Sequence, residues 1–249
     1  MESMDQFDKE LTREDLERFV SERVQLLWSH FGWQCQHEIV FTEQPVKAGV
    51  YATVKKRPKD MNNPNEKFQV VFWVGRDNAE RAEILKMSDF IIMHEVAHSI
   101  VEAHRAAYAI TLTQEQKTDL NLSAHIKPEL FYSGAHEIAS DMIALRIAEE
   151  TGKQRQVISS FVSLVAHDVS REQAGKLDPS LTDQARFMVF IDQVKPLNTL
   201  SDQESASLRE ALEFWQSSRD SMLLDEVDKE RFAKMAEYFR ETADRTKGI

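Results

Sequence analysis

The hydrophobic pattern of the chain changes period once. Between residues 12 and 31 apolar positions recur in steps of three and four, with Phe19, Val20, Val24, Leu27 and Trp28 forming one stripe of an expected helix. Thr12 followed by Asp15 has the form of a capping box and marks where that helix opens. Residues 37–42, 50–54 and 68–74 are rich in β-branched and aromatic side chains and predict three strands. The stretch 56–66 is polar and carries two prolines, so it predicts a loop. After Gly75 the period becomes helical and stays so. A helix over 79–87 is expected to run into, or lie just before, a second one that continues to Tyr108. A loop over 121–130 containing Pro128 follows, then helices over 132–151, 155–167, 181–194, 201–217 and 224–245. Ser201 with Glu204 forms another capping box. The expected class is therefore α+β, with a small N-terminal antiparallel or mixed sheet followed by a mostly helical body.

Composition adds limits. A chain of 249 residues predicts one domain over 1–249, with an N-terminal lobe over about 1–110 and a C-terminal helical lobe over about 111–249. Seven glycines and six prolines are too few for the many turns of an all-β sandwich. A net charge of -11 predicts no nucleic-acid partner. Its plainer consequence is solubility, and a preference for basic partners is the lesser reading. Cys35 is the single cysteine, which excludes an intrachain disulfide and a cysteine-rich zinc site and suggests a buried thiol. The acidic first residues lack the apolar run of a signal peptide, and no apolar run is long enough for a bilayer. These features predict a cytoplasmic protein with no membrane partner, and leave export by a signal-less route open.

The chemistry concentrates in His94-Glu95-Val96-Ala97-His98. Two histidines four apart share a helix face, about 5–6 Å apart at Cβ. Both rings can reach one ion at Zn–N of about 2.0–2.1 Å. Glu95 points toward the same cleft and can take a proton from a water that the ion has acidified. Phe90, Ile91, Met93, Val96, Ala97 and Ile100 make this a buried helix, and polar groups there need partners. The plain alternative is an exposed helix with His and Glu facing solvent.

A catalytic zinc needs a third protein ligand and an open fourth position. His104 has the spacing of a third histidine, but Val101 stands where the chain would need a glycine to turn, and a continuing helix points His104 away. Glu137 is the stronger candidate. It lies four residues before Asp141 in an apolar helix, where two acids call for a cation. One acid can bind the ion; the other can hold a ligand histidine by its second nitrogen. A carboxylate pair favoured by a helix N-terminus is the simpler account. His136 is a weaker substitute ligand. Tyr132 and His167 are candidates to stabilise a tetrahedral oxyanion, and Tyr238 a weaker one.

HEVAH followed by HEIASD resembles the gluzincin group of zinc metallopeptidases, in which HExxH precedes a glutamate ligand in an ExxSD segment. The resemblance covers about residues 90–148. It implies a zincin-like fold, zinc held by His94, His98 and Glu137, Glu95 as general base, and Asp141 behind a ligand histidine, most naturally His94. It also implies an edge strand that aligns substrate, with 68–74 as the expected equivalent. The interval between the motifs is longer than in thermolysin, and no GAMEN-like signature is present, which disfavours an aminopeptidase of that type. The expectation is metallo-endopeptidase activity on a protein or peptide. The alternative is a non-catalytic zinc-binding interaction protein that retains the fold. Oligomeric state has no signal in the sequence.

Overall fold

The computed structural model describes residues 10–45, 50–103, 128–175, 187, 190, 191 and 200–217, with backbone alone for 102, 103, 128–135 and 215–217. Helix α1 (Arg13–Phe31) opens on the expected capping box. The Asp15 amide donates to Thr12 Oγ1 at 3.1 Å and the Thr12 amide to Asp15 Oδ2 at 3.2 Å. Leu16, Val20, Val24, Leu27 and Trp28 form its buried face.

Strands β1 (Gln36–Thr42), β2 (Ala52–Lys56) and β3 (Lys67–Trp73) make one mixed sheet in the order β1-β3-β2. β1 runs parallel to β3, and β2 antiparallel to it. Phe68, Val70 and Phe72 alternate into the core, as a strand with one buried face requires. This order corrects one expectation. The 68–74 segment is the central strand, hydrogen-bonded on both sides, so it cannot serve as an edge. Among the described residues the edge strands are β1 and β2. Trp28 Nε1 donates to the Cys35 carbonyl at 2.9 Å, tying α1 to the start of β1, and Cys35 is buried.

Gly75 turns the chain from β3 into the next helix at φ 76°. A Cβ there would lie 2.9 Å from Glu80 Cβ, so both the backbone and the space call for glycine. Helix α2 (Asn78–Ala103) is continuous, which joins the two helical segments of the sequence pattern into one. Helix α3 (Pro128–Glu150) begins at the proline, so 128–130 are helical rather than loop. Proline is tolerated there because its missing N–H has no intrahelical partner to lose. The rest of that loop, 121–127, lies outside the described residues, as do residues 104–108, 224–245 and most of 181–194.

Helix α4 (Gln154–Gln173) runs antiparallel to α2: Ser160 Oγ donates to the Lys86 carbonyl at 2.8 Å, and farther along, His167 lies near Glu83. Phe161 packs on Phe90, Phe187 and Phe190. Helix α5 (Asp202–Ser217) docks on α4 through Arg155 and Glu204, 2.6 Å apart. The result is α+β, a small mixed sheet beside a mostly helical body, with one continuous apolar cluster beneath both. No helix among the described residues is long and apolar enough to cross a membrane.

Candidate metal centre

Helices α2 and α3 cross so that residues 38 to 47 positions apart share one seam. His94 and His98 lie one turn apart on α2, with ring centroids 4.5 Å apart and planes at 82°. Both are buried, His94 beneath Phe90. From α3, Glu137 Oε2 lies 3.0 Å from His94 Nε2 and 3.6 Å from His98 Nε2.

The far nitrogens of both rings are occupied, and their partners set the tautomers. Asp141 is buried, and its Oδ1 lies 2.7 Å from His94 Nδ1, closer than the Glu137 carboxylate lies to Nε2; carboxylates can only accept, so a neutral His94 places its one proton on Nδ1, at the shorter contact. Ser140 Oγ donates to the His136 carbonyl at 3.0 Å, which leaves its oxygen to accept from His98 Nδ1–H at 2.9 Å. His136 Nδ1 lies 3.1 Å from the same His98 nitrogen, with the two ring planes 17° from parallel. In their neutral forms both metal-facing nitrogens are then lone pairs aimed at an anionic oxygen. Such a set repels itself unless a proton or a cation lies within it.

The electrostatics agree. Burial, then the charge of His94, pushes His98 down to about 4, with Arg57 acting in the same direction. Burial and the neighbouring His98 push His136 down to about 4 as well. Burial works to raise Glu137, but its close contact with His94 and His98 outweighs it and holds the carboxyl well below the usual carboxylate range. Near neutral pH an ionised carboxylate therefore faces neutral His98 and His136 rings, the protonation states that metal ligation needs.

Two overlapping groups could hold a metal ion. His94, Glu95 and His98 bring one ligand atom each within 4.8 Å of one another, and so do His98, His136 and Glu137. Glu95 sits half-buried beside the two histidines. Two imidazoles and a carboxylate on a seam between rigid helices fit a divalent cation of the nitrogen- and oxygen-binding kind.

The structure brings His94, Glu95, His98, His136, Glu137 and Asp141 together. It does not bring His167. That ring packs edge-on against Tyr51, 5.8 Å between centroids, and lies near Glu83, eleven residues before His94 on α2. At 1.5 Å per residue this is about 16 Å from the cluster. The Tyr132 side chain, His104 and Tyr238 lie outside the described residues. Ser140 was missed, although it sits one residue before Asp141 on the same inward face. Arg57, whose charge reaches His98 and His136, has no local signal.

Comparisons of the chain with protein-family models, curated proteins and solved structures find no match. The functional reading therefore rests on the residues themselves.

Proposed function

We propose that the protein is a zinc-dependent peptidase of gluzincin type, cleaving internal peptide bonds. The observation that carries this reading is the convergence of His94 Nε2, His98 Nε2 and Glu137 Oε2, with Glu95 beside them. Two histidines and one glutamate are a donor set of catalytic zinc, which keeps a fourth position open. A purely structural site would use four protein ligands and would have no need of Glu95.

A zinc ion bound there supplies acidification of a water and polarisation of the scissile carbonyl. Glu95 would be the base that holds a proton beside the ion and returns it to the departing amine nitrogen. Asp141 fixes the His94 tautomer and favours the ring's more basic form; Ser140 does the same, less strongly, for His98. The α+β architecture, with a small sheet preceding the helix that carries His94 and His98, supports a zincin-like arrangement.

The test is Glu95→Gln in the full chain. Zinc content by atomic absorption should stay near one equivalent while cleavage of a mixed peptide library falls by roughly a hundredfold or more. Wild-type zinc with no turnover against any peptide would favour the non-catalytic zinc-binding alternative. Iron in place of zinc would reject the reading, since two histidines and a carboxylate also suit that metal.

A further inference from the structure

The chain is acidic, yet four of its cations fall within five positions. Lys55, Lys56, Arg57 and Lys59 are all exposed. They close β2, which pairs only with β3 among the described residues. The strand's direction places them. At its start Tyr51 donates to Asp168 on α4 at 3.0 Å, beside His167 and so level with Glu83 on α2. Six residues of extended chain cover about 20 Å. That is the length needed to reach the level of His94 and His98, and the charge of Arg57 acts on His98 and His136.

The turn after β2 is well anchored. Glu66 accepts hydrogen bonds from the Lys59 and Asp60 backbone amides, and Asp60 accepts from the Asn62 amide at 2.9 Å. The Met61 carbonyl accepts from the Gln34 and Cys35 amides at 3.0 and 2.9 Å. The local acids Asp60 and Glu66 thus serve the backbone of the turn. Lys56 lies near Glu38, which is paired with Lys67. Among the described residues the ion pairs do not include Lys55, Arg57 or Lys59. A cationic ridge on a held turn, level with the candidate metal centre, selects the charge of a chain that approaches it.

We infer that Lys55, Arg57 and Lys59 form a specificity surface for acidic polypeptide segments, whose Asp or Glu side chains flank the bond presented to His94, His98 and Glu137. This rests on the peptidase reading and names the substrate class for it. The overall acidity of the chain sharpens the selection, because an acidic segment is repelled elsewhere and attracted here.

The test compares two peptides that differ only in glutamates or glutamines on either side of one cleavable bond. With the zinc-loaded full chain at low salt, the acidic peptide should be cleaved with kcat/KM about tenfold higher, as expected for a few exposed charge pairs acting together. The preference should shrink as sodium chloride is raised, and fall to near unity in K55Q/R57Q/K59Q. Equal rates in the wild type, or a preference that survives the triple variant, would overturn the inference. Fluorescence anisotropy of the same peptides on the Glu95→Gln chain separates this inference from the peptidase reading. Acidic-peptide binding that needs the three cations, without cleavage by the wild type, sinks the peptidase and keeps the surface. Cleavage with no acidic preference does the reverse. Displacement of the acidic peptide by a single-stranded oligothymidine of equal charge at lower concentration would also overturn it, making the ridge a nucleic-acid contact.

Discussion

Asp141 Oδ1 lies 2.7 Å from His94 Nδ1, a carboxylate buried at the floor of the helix seam and holding the ring that faces Glu137 on its other side. Replacing Asp141 with Ala leaves the imidazole N–H without its acceptor and the ring free to choose its other tautomer. Zinc affinity should fall by about 10- to 100-fold. Stability without metal should fall by about 1–3 kcal/mol. Calorimetric zinc titration and a chelated thermal melt measure the two separately; unchanged affinity would mean that the ring is oriented by other contacts.

Glu137 is the anion between two imidazoles. In the wild type, added zinc should raise the melting temperature and chelator should lower it, since an ion bound only by the folded state stabilises that state. Glu137→Gln should abolish most of that metal-dependent shift. A variant that kept the full shift would move the third ligand to another residue, His136 being nearest to His98.

His167, a candidate from the sequence to stabilise an oxyanion, lies beside Tyr51 and Glu83 in the fold. His167→Ala should leave zinc content and kcat within about twofold of wild type. Its cost should appear instead in stability, at about 1 kcal/mol for a half-buried ring. A hundredfold loss of kcat with metal retained would place the ring at the reaction after all.

Glu204 docks α5 onto α4 through Arg155 and Ser159, and closes the capping box of α5 with Ser201. Burial opposes its ionisation, but these hydrogen bonds outweigh it and lower the carboxyl from 4.5 to about 2. A folded pKa below the unfolded one stabilises the fold fully above about pH 4.5, and the contribution is lost as pH falls toward 2. Glu204→Gln should cost about 1–2 kcal/mol at pH 7. Its melting temperature should converge on that of wild type as the pH is lowered through this window. Parallel curves at every pH would show that the carboxylate contributes nothing by its charge.

Much of the fold was legible because its signals are local. The Thr12–Asp15 and Ser201–Glu204 boxes concern residues three apart, and both form. The alternation through Phe68, Val70 and Phe72 is a property of one strand. Strand order was not legible: the most apolar strand was expected at an edge, and pairing on both sides puts it in the centre. Which strand flanks which depends on connections and on burial against α1 and α2, and leaves no mark in any one segment. The boundary at Pro128 was misplaced for a related reason, since proline marks either a turn or the first residue of a helix.

At the candidate site the division is similar. The sequence alone determined that His94 and His98 share a face, that Glu95 lies beside them, and that Glu137 and Asp141 form a second matched pair, because a helix of 3.6 residues per turn relates such positions without help from the rest of the chain. Only the tertiary structure decided that Asp141 meets His94, that Ser140 and His136 meet His98, that His167 is a long way off and that Arg57 is near. Those relations follow from how α2, α3, α4 and β2 cross, and the crossings are set by buried apolar faces whose partners lie dozens of residues away.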